Sequence, residues 1–226
     1  MTTWRRDTRL LIDTLLSPGS ALDGLCGRAP VGVPLVVLGG LTGLLLVWQA
    51  AILAPVVRGD PLVAELPGGS DSTVLRFWIL RGLASLAAPL GLGLRAAALA
   101  SVLHAASLIL GASSTWRVLL SLSIHLEVVY WLENACVTLL LWLHPPATLE
   151  ELQGVRLHAG LDLFWHPGSV TATRALAAAN AFTIWWAALL AYGLSRHLRW
   201  RWRSALVLAL PLWAGIVGLR FLVQPR

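Results

Sequence analysis

Between Arg28 and Arg58 no residue carries a charge. A helix over Val31 to Leu53 rises about 34 Å, enough to cross a hydrocarbon core ~30 Å thick. The same pattern returns twice near the end of the chain. "ALAAANAFTIWWAALLAYGLS" lies uncharged between Arg174 and Arg196, and "SALVLALPLWAGIVGLRFLV" follows the arginine band "RHLRWRWRS". The eight residues between them, Arg196 to Arg203, suit a turn between antiparallel helices. In the middle, only thirteen uncharged residues separate Arg81 from Arg95, too few to cross, whereas "AAALASVLHAASLILGASSTW" spans with help from the preceding turns. One long helix, bent near Pro89, is expected there. "RVLLSLSIHLEVVYWLENACVTLLLWL" has the length of a span although it carries Glu127 and Glu133. The expected fold is therefore all-α and polytopic, with five transmembrane helices at about 31–53, 83–112, 118–143, 175–195 and 204–223. Residues 1–30 form an N-terminal amphipathic segment and residues 144–174 an external loop.

Composition agrees. With 57% hydrophobic and 12% charged residues in 226, the chain holds more apolar surface than one soluble core needs. Its 12 tryptophans suit the membrane-water boundary, where an indole has an apolar body in lipid and a polar edge in water. All 17 basic residues are arginine, which together with much Ala, Leu, Gly and Pro suggests a GC-rich, hence bacterial, coding sequence. The net charge of +6 does not imply nucleic acid, because the arginines are dispersed between apolar spans. Cys26 and Cys136 fall before the first span and inside a later one, so neither a mutual disulfide nor metal-type cysteine spacing is expected. Charges scattered over the first thirty residues leave no signal-peptide core, and the first span is expected to act as the insertion signal.

Arginine placement predicts orientation. With the N-terminus in the cytoplasm, five spans put both the leading arginines and the 196–203 turn inside, as the positive-inside rule requires, and the C-terminus outside. Dividing the Arg81 to Trp116 region into two spans would reverse that turn. Arg196, Arg199, Arg201, Arg203, Trp200 and Trp202 thus read as topology and lipid anchors, each arginine worth about 1 kcal/mol near an anionic leaflet.

Outside the spans, Ser17-Pro18 has the form of a helix start. "WRRDTRLLIDTLL" places leucines on one side and arginines on another, as an interfacial helix does. "HPP" ends the third span, and Thr148 and Glu151 match a capping box for a short surface helix. His158, Asp162 and His166 stand at i, i+4 and i+8, yet Pro167 biases His166 out of the helical region, and ordinary surface histidines explain the same letters. No metal or cofactor is expected. No H-E-x-x-H, G-x-S-x-G, P-loop or dinucleotide motif is present, so no catalytic residue and no enzyme is expected.

Ionisable groups in hydrocarbon cost about 2.5–3.5 kcal/mol, so Arg95, Glu127 and Glu133 need partners, water or the boundary. Glu127, Tyr130 or Trp131, Asn134 and Thr138 share one helical stripe, from which Glu133 departs. Arg95, Glu127, Glu133, Asn134 and Asn180 are the candidate intramembrane polar or interface residues. The reading favoured is interhelical glue, Glu127 meeting Arg81, Arg95, Arg117 or a partner's arginine. Gly39-x-x-x-Gly43 in "GGLTG", and Ala187 with Ala191, allow close helix approach.

"LLSPGSALDGLCGRAPVGVPLVVLGGL" resembles the opening of bacterial Yip1-domain proteins. "NAFTIWWAALLAYGLSRHLRWRWRSALVLALPLW" is similar to the family's closing pattern through Phe182, Trp185, Leu189, Gly193, Leu194 and Ser195, and "LHAASLILGASSTWRVLLSLSI" to its second span, short turn and third span. The likeness covers most of Leu16 to Val223. It implies a five-helix membrane domain without catalytic residues; the acidic signature of the eukaryotic members is absent. It also implies an accessory subunit of an ABC-type export or efflux assembly in the bacterial inner membrane, with a permease and a periplasmic adaptor as partners besides membrane lipids. The alternatives are a small stand-alone transporter using Glu127 and Asn134, and a lipid-shaping membrane protein.

Overall fold

The computed structural model describes residues 3–65, 69–112, 114–148, 151, 172, 176, 178–197 and 202–223. Among them the chain is helical and forms no β-strand. The helices are α1 (Thr3–Leu16), α2 (Pro18–Arg28), α3 (Gly32–Gly59), α4 (Pro61–Ala64), α5 (Gly69–Ile109), α6 (Trp116–Leu143), α7 (Ala181–His197) and α8 (Trp202–Val223). Four of these, α3, α5, α6 and α8, are long and apolar enough to cross a membrane. The fifth expected span, 175–195, coincides in its described part with α7, whose 17 residues rise about 25 Å. Most of the 144–174 loop, including His158, Asp162 and His166, lies outside the described residues, as do Arg199, Trp200 and Arg201.

The largest departure from expectation is α5. It begins at Gly69, well before the expected residue 83, and runs 41 residues, about 61 Å. Asp71, Arg76 and Arg81 interrupt the apolar run, but a helix does not stop where lipid does, and Asp71 in the first turn suits the positive end of the helix dipole. Pro89 lies inside the helix without ending it. The stop comes at Gly111, which adopts φ +68°. There the amide of Ala112 donates to the Ser107 carbonyl at 2.8 Å and that of Gly111 to Leu108 at 3.1 Å, the paired bonds of a Schellman turn.

Other helix ends follow the local sequence. α2 starts with Pro18 at its first turn as expected, but the Ser17 hydroxyl makes no capping bond; its φ and ψ of −146° and 63° turn the side chain away from the role. α2 ends on Ala29 in the left-handed region, φ 42°, whose amide donates to Leu25. α6 ends at Leu143 ahead of Pro145 and Pro146, as "HPP" predicts. Half of the expected capping box forms after it. The Glu151 amide donates to Thr148 Oγ1 at 3.1 Å, while the returning Glu151 carboxylate accepts from Ala147, one residue earlier than the standard box.

The chain folds into two compact units, one made of Met1–Val37, Leu92–Tyr130 and His158–Arg226, the other of Leu38–Gly91 and Trp131–Leu157. In the first, α1 packs on α2, α2 on α7 and α7 on α8. Their contacts gather one set of ends. Ser121 Oγ donates to the Pro30 carbonyl at 2.7 Å, and Trp116 Nε1 to Ser101 Oγ at 3.3 Å. Asp23 of α2 faces Arg196 of α7 at 3.8 Å. Along α6 every residue from Ser121 to Val129 is buried, all round the helix. Gly193 of α7 meets Leu122 so closely that a Cβ there would stand 2.6 Å from Leu122 Cδ1.

In the second unit the expected small-residue pair works on a named surface. A Cβ on Gly39 would fall 2.7 Å from Pro89 Cα, and one on Gly43 would fall 2.9 Å from the Ser85 carbonyl oxygen; Ser85 Oγ donates to the Gly43 carbonyl at 3.0 Å. Here α3 and α5 approach backbone to backbone, with a hydrogen bond in place of side-chain packing. Gln49 Nε2 donates to Thr138 Oγ1 at 2.8 Å, and Trp48 packs on Trp142 with centroids 6.5 Å apart. Val57, Val63 and Val74 make a small cluster closed by Phe77.

Candidate functional site

Arg95 lies within the apolar part of α5, and Glu127 is one of two carboxylates, with Glu133, within α6. A carboxylate and a guanidinium each isolated in lipid are costly, and the two cancel most of that cost when they meet with good geometry. They do meet. Arg95 Nε donates to Glu127 Oε1 at 3.0 Å, and Nη2 donates to Oε2, a two-pronged pair. The burial is unequal: the Glu127 side chain is 4% exposed and that of Arg95 61%. The carboxylate is thus held inside the first unit, and the guanidinium leans outward from it.

One helical turn after Glu127, the Tyr130 ring completes the cluster. The Arg95 guanidinium lies 5.5 Å from its centroid and that of Arg220 5.3 Å, both in cation–π range. Trp186 of α7 packs on the same ring, centroids 6.0 Å apart and planes at 36°. Four helices, α5 to α8, therefore converge on one tyrosine. Arg95 Nη1 has no hydrogen-bond acceptor among the described residues.

Of the residues singled out by sequence, Arg95 and Glu127 are brought together, as the glue reading expects. Along the expected stripe of Glu127, Tyr130 or Trp131, Asn134 and Thr138, Glu127 and Tyr130 belong to the first unit and Trp131, Asn134 and Thr138 to the second. Glu127 turns to Arg95, Thr138 accepts from Gln49, and Asn134 is exposed, its carbonyl accepting from the Thr138 hydroxyl at 2.7 Å. Glu133 is half-buried on α6. Asn180 stands just ahead of α7: its Oδ1 accepts the Thr183 amide at 2.9 Å, making it the N-cap of that helix. Arg196 contacts the Tyr192 hydroxyl at 3.1 and 3.2 Å besides Asp23, so it ties α7 to α2 in addition to any anchoring role. Arg203 and Trp202 are exposed. Cys136 is a free thiol.

Arg220 and Trp186 were missed by sequence reasoning. Arg220 is the one charge inside the last apolar run, a signal that reads equally as a boundary residue until Tyr130 is seen beside it. Among the described residues no group of three His, Cys, Asp or Glu side chains converges as metal ligands would.

No family model matches the chain, and neither does any curated protein or solved structure.

Proposed function

We propose that the chain is a non-enzymatic accessory or scaffold subunit of an ABC-type export or efflux assembly in a bacterial inner membrane, crossing five times with its N-terminus in the cytoplasm. The observation that carries this reading is the Arg95–Glu127 pair. The membrane-level carboxylate is answered within the chain, as a residue holding helices together would be, instead of lining a polar path contributed by several helices. Five crossings are supported by α7, which packs along α8 and against the buried part of α6, and by Arg196 near the end of α7, which pairs with Asp23 of the N-terminal α2. The resemblance to Yip1-domain proteins supplies the partner class, a permease and a periplasmic adaptor. Outward aliphatic side chains such as Leu86, Leu90 and Leu94 on α5 offer it lipid- or permease-facing surface.

The test is purification of the tagged chain in mild detergent from its native membrane, with mass spectrometry of what accompanies it. A permease or adaptor is expected in stoichiometric amount; the chain coming through alone contradicts the proposal. The outward lean of Arg95 favours the rival, a stand-alone transporter. Under that rival Glu127→Gln abolishes flux in proteoliposomes holding this chain only, and under the scaffold reading no flux exists to abolish.

A further inference from the structure

α1 is amphipathic in sequence, yet the fold divides its residues between two flanks. Asp7, Leu11 and Thr14 are buried as α1 packs on α2, where a Cβ on Gly24 would stand 3.0 Å from Leu10 Cδ2. Trp4, Ile12 and Leu16 are left 51%, 53% and 76% exposed. At 3.6 residues per turn these three share with exposed Arg5 and Arg9 an arc of about 140°, on the other side of the helix from the buried set. The outward face of α1 therefore interleaves large apolar side chains with guanidinium groups.

The place of α1 within the first unit is set by its neighbours. α2 leads through Ala29 and Pro30 into α3, and the Pro30 carbonyl accepts from Ser121, about one turn after Arg117. On the α7 side, Asp23 pairs with Arg196, and a Cβ on Gly19 would stand 3.2 Å from the Tyr192 hydroxyl. α1 is thus held beside helix ends that carry exposed Arg28, Arg117 and Arg203. Its own acidic residues oppose this charge only weakly. Asp7 is buried, and Asp13 stands 3.7 Å from an Arg9 whose side chain is 70% exposed, a surface pair that a phosphate can replace.

We propose that the outward face of α1 docks on the headgroups of an anionic leaflet, with Trp4, Ile12 and Leu16 dipping to the acyl boundary and Arg5 and Arg9 reaching lipid phosphates. A bilayer surface sets phosphate directly above apolar chains, and long-stemmed arginines beside tryptophan and aliphatic side chains match both layers. The basic helix ends around α1 favour anionic over zwitterionic lipid. The interfacial role expected of the N-terminal segment thereby gains a contact face and a lipid chemistry. It rests only on the membrane location of the chain and stands whether or not a permease is its partner.

The test uses the full chain in nanodiscs of dioleoylphosphatidylcholine, alone or mixed with dioleoylphosphatidylglycerol. A nitroxide is placed at Thr8→Cys, between Trp4 and Ile12 on the helix, with Cys26→Ser and Cys136→Ser as background, and its access to oxygen and to a water-soluble nickel chelate is measured. Phosphatidylglycerol is expected to shield the label from nickel, and phosphatidylcholine alone to leave it open. Arg5→Gln with Arg9→Gln is expected to lower the ratio of docked to undocked α1 about thirtyfold, two arginines at about 1 kcal/mol each near an anionic leaflet. Arg5→Lys with Arg9→Lys keeps the charge and is expected to keep the shielding, as is Arg76→Gln, exposed on α5. Equal access in the two lipids, full shielding in the glutamine pair, or its loss in the lysine pair overturns the proposal. A photoreactive residue at position 8 that captures protein instead of lipid in native membranes overturns it in favour of a protein partner.

Discussion

α5 and α6 are both long, both apolar, and each carries an ionisable residue far from its ends, yet the two are treated in opposite ways by the fold. From Ser121 to Val129, α6 is buried on every side, and the buried set includes Ser121, Ser123, His125 and Glu127. α5 turns Leu83, Leu86, Leu90 and Leu94 outward at 58–80% exposure and buries Ala96 and Ala100 together with Leu92 and Leu103. In lipid no hydrophobic force drives leucine inward. Small and polar groups gain most from a protein neighbour, through close backbone approach and hydrogen bonds, and leucine is content with acyl chains. Within the first unit, the mixed stretch from Ser121 to Val129 is therefore the enclosed one.

The sharpest way to break this contrast is to remove the α6 carboxylate. Glu127→Ala leaves Arg95 without its partner and is expected to destabilise the chain by about 3–5 kcal/mol, read as unfolding in mixed micelles. Glu127→Gln, which keeps an acceptor, is expected to lose less. If the alanine variant unfolds like the wild type, the pair does not organise the helices. Next comes Gly39→Ala, whose new methyl meets the Pro89 backbone and costs about 1–3 kcal/mol. Its neighbour Gly40 has nothing within 4 Å of an added Cβ, so Gly40→Ala is expected to be neutral or slightly stabilising. Equal effects at the two glycines would mean that α3 and α5 do not touch there. Ser121→Ala removes the bond to the Pro30 carbonyl and is expected to cost about 0.6–1 kcal/mol, in line with hydrogen bonds between membrane helices. Smallest is Leu86→Ala on the outward face of α5, expected within ~0.5 kcal/mol; a loss several times larger would show that α5 is covered by protein there.

Much of the helix pattern was legible because charge is so sparse. Uncharged runs locate α3 and most of α8, α6 is legible by its apolar length despite Glu127 and Glu133, "HPP" ends α6, and Gly39 with Gly43 foretells a close approach without naming the surface it meets. The start of α5 was not legible from the same signal. Hydropathy reports where lipid is, and Asp71, Arg76 and Arg81 lie on a helix that continues past the apolar stretch. Within the candidate site, Glu127 announced a need for a cation, and spacing alone could not choose Arg95 over Arg81 or Arg117. Arg220 was harder still, because its meaning depends on Tyr130, ninety residues earlier in the chain. For Asn180, the sequence shows an amide beside an apolar run, whereas its role in capping α7 through the Thr183 amide shows only once the start of that helix is known.

The all-round burial of α6 also bears on how the protein is made. During synthesis this segment leaves the ribosome before α7 and α8 exist, so its serines, histidine and glutamate enter the bilayer without the neighbours that later enclose them. Arg95, already synthesised, is the only described charged partner of Glu127 at that moment. A chain truncated after α6 should therefore be the form that quality-control proteases recognise, and the arrival of Trp186, Gly193 and Arg220 the event that closes maturation.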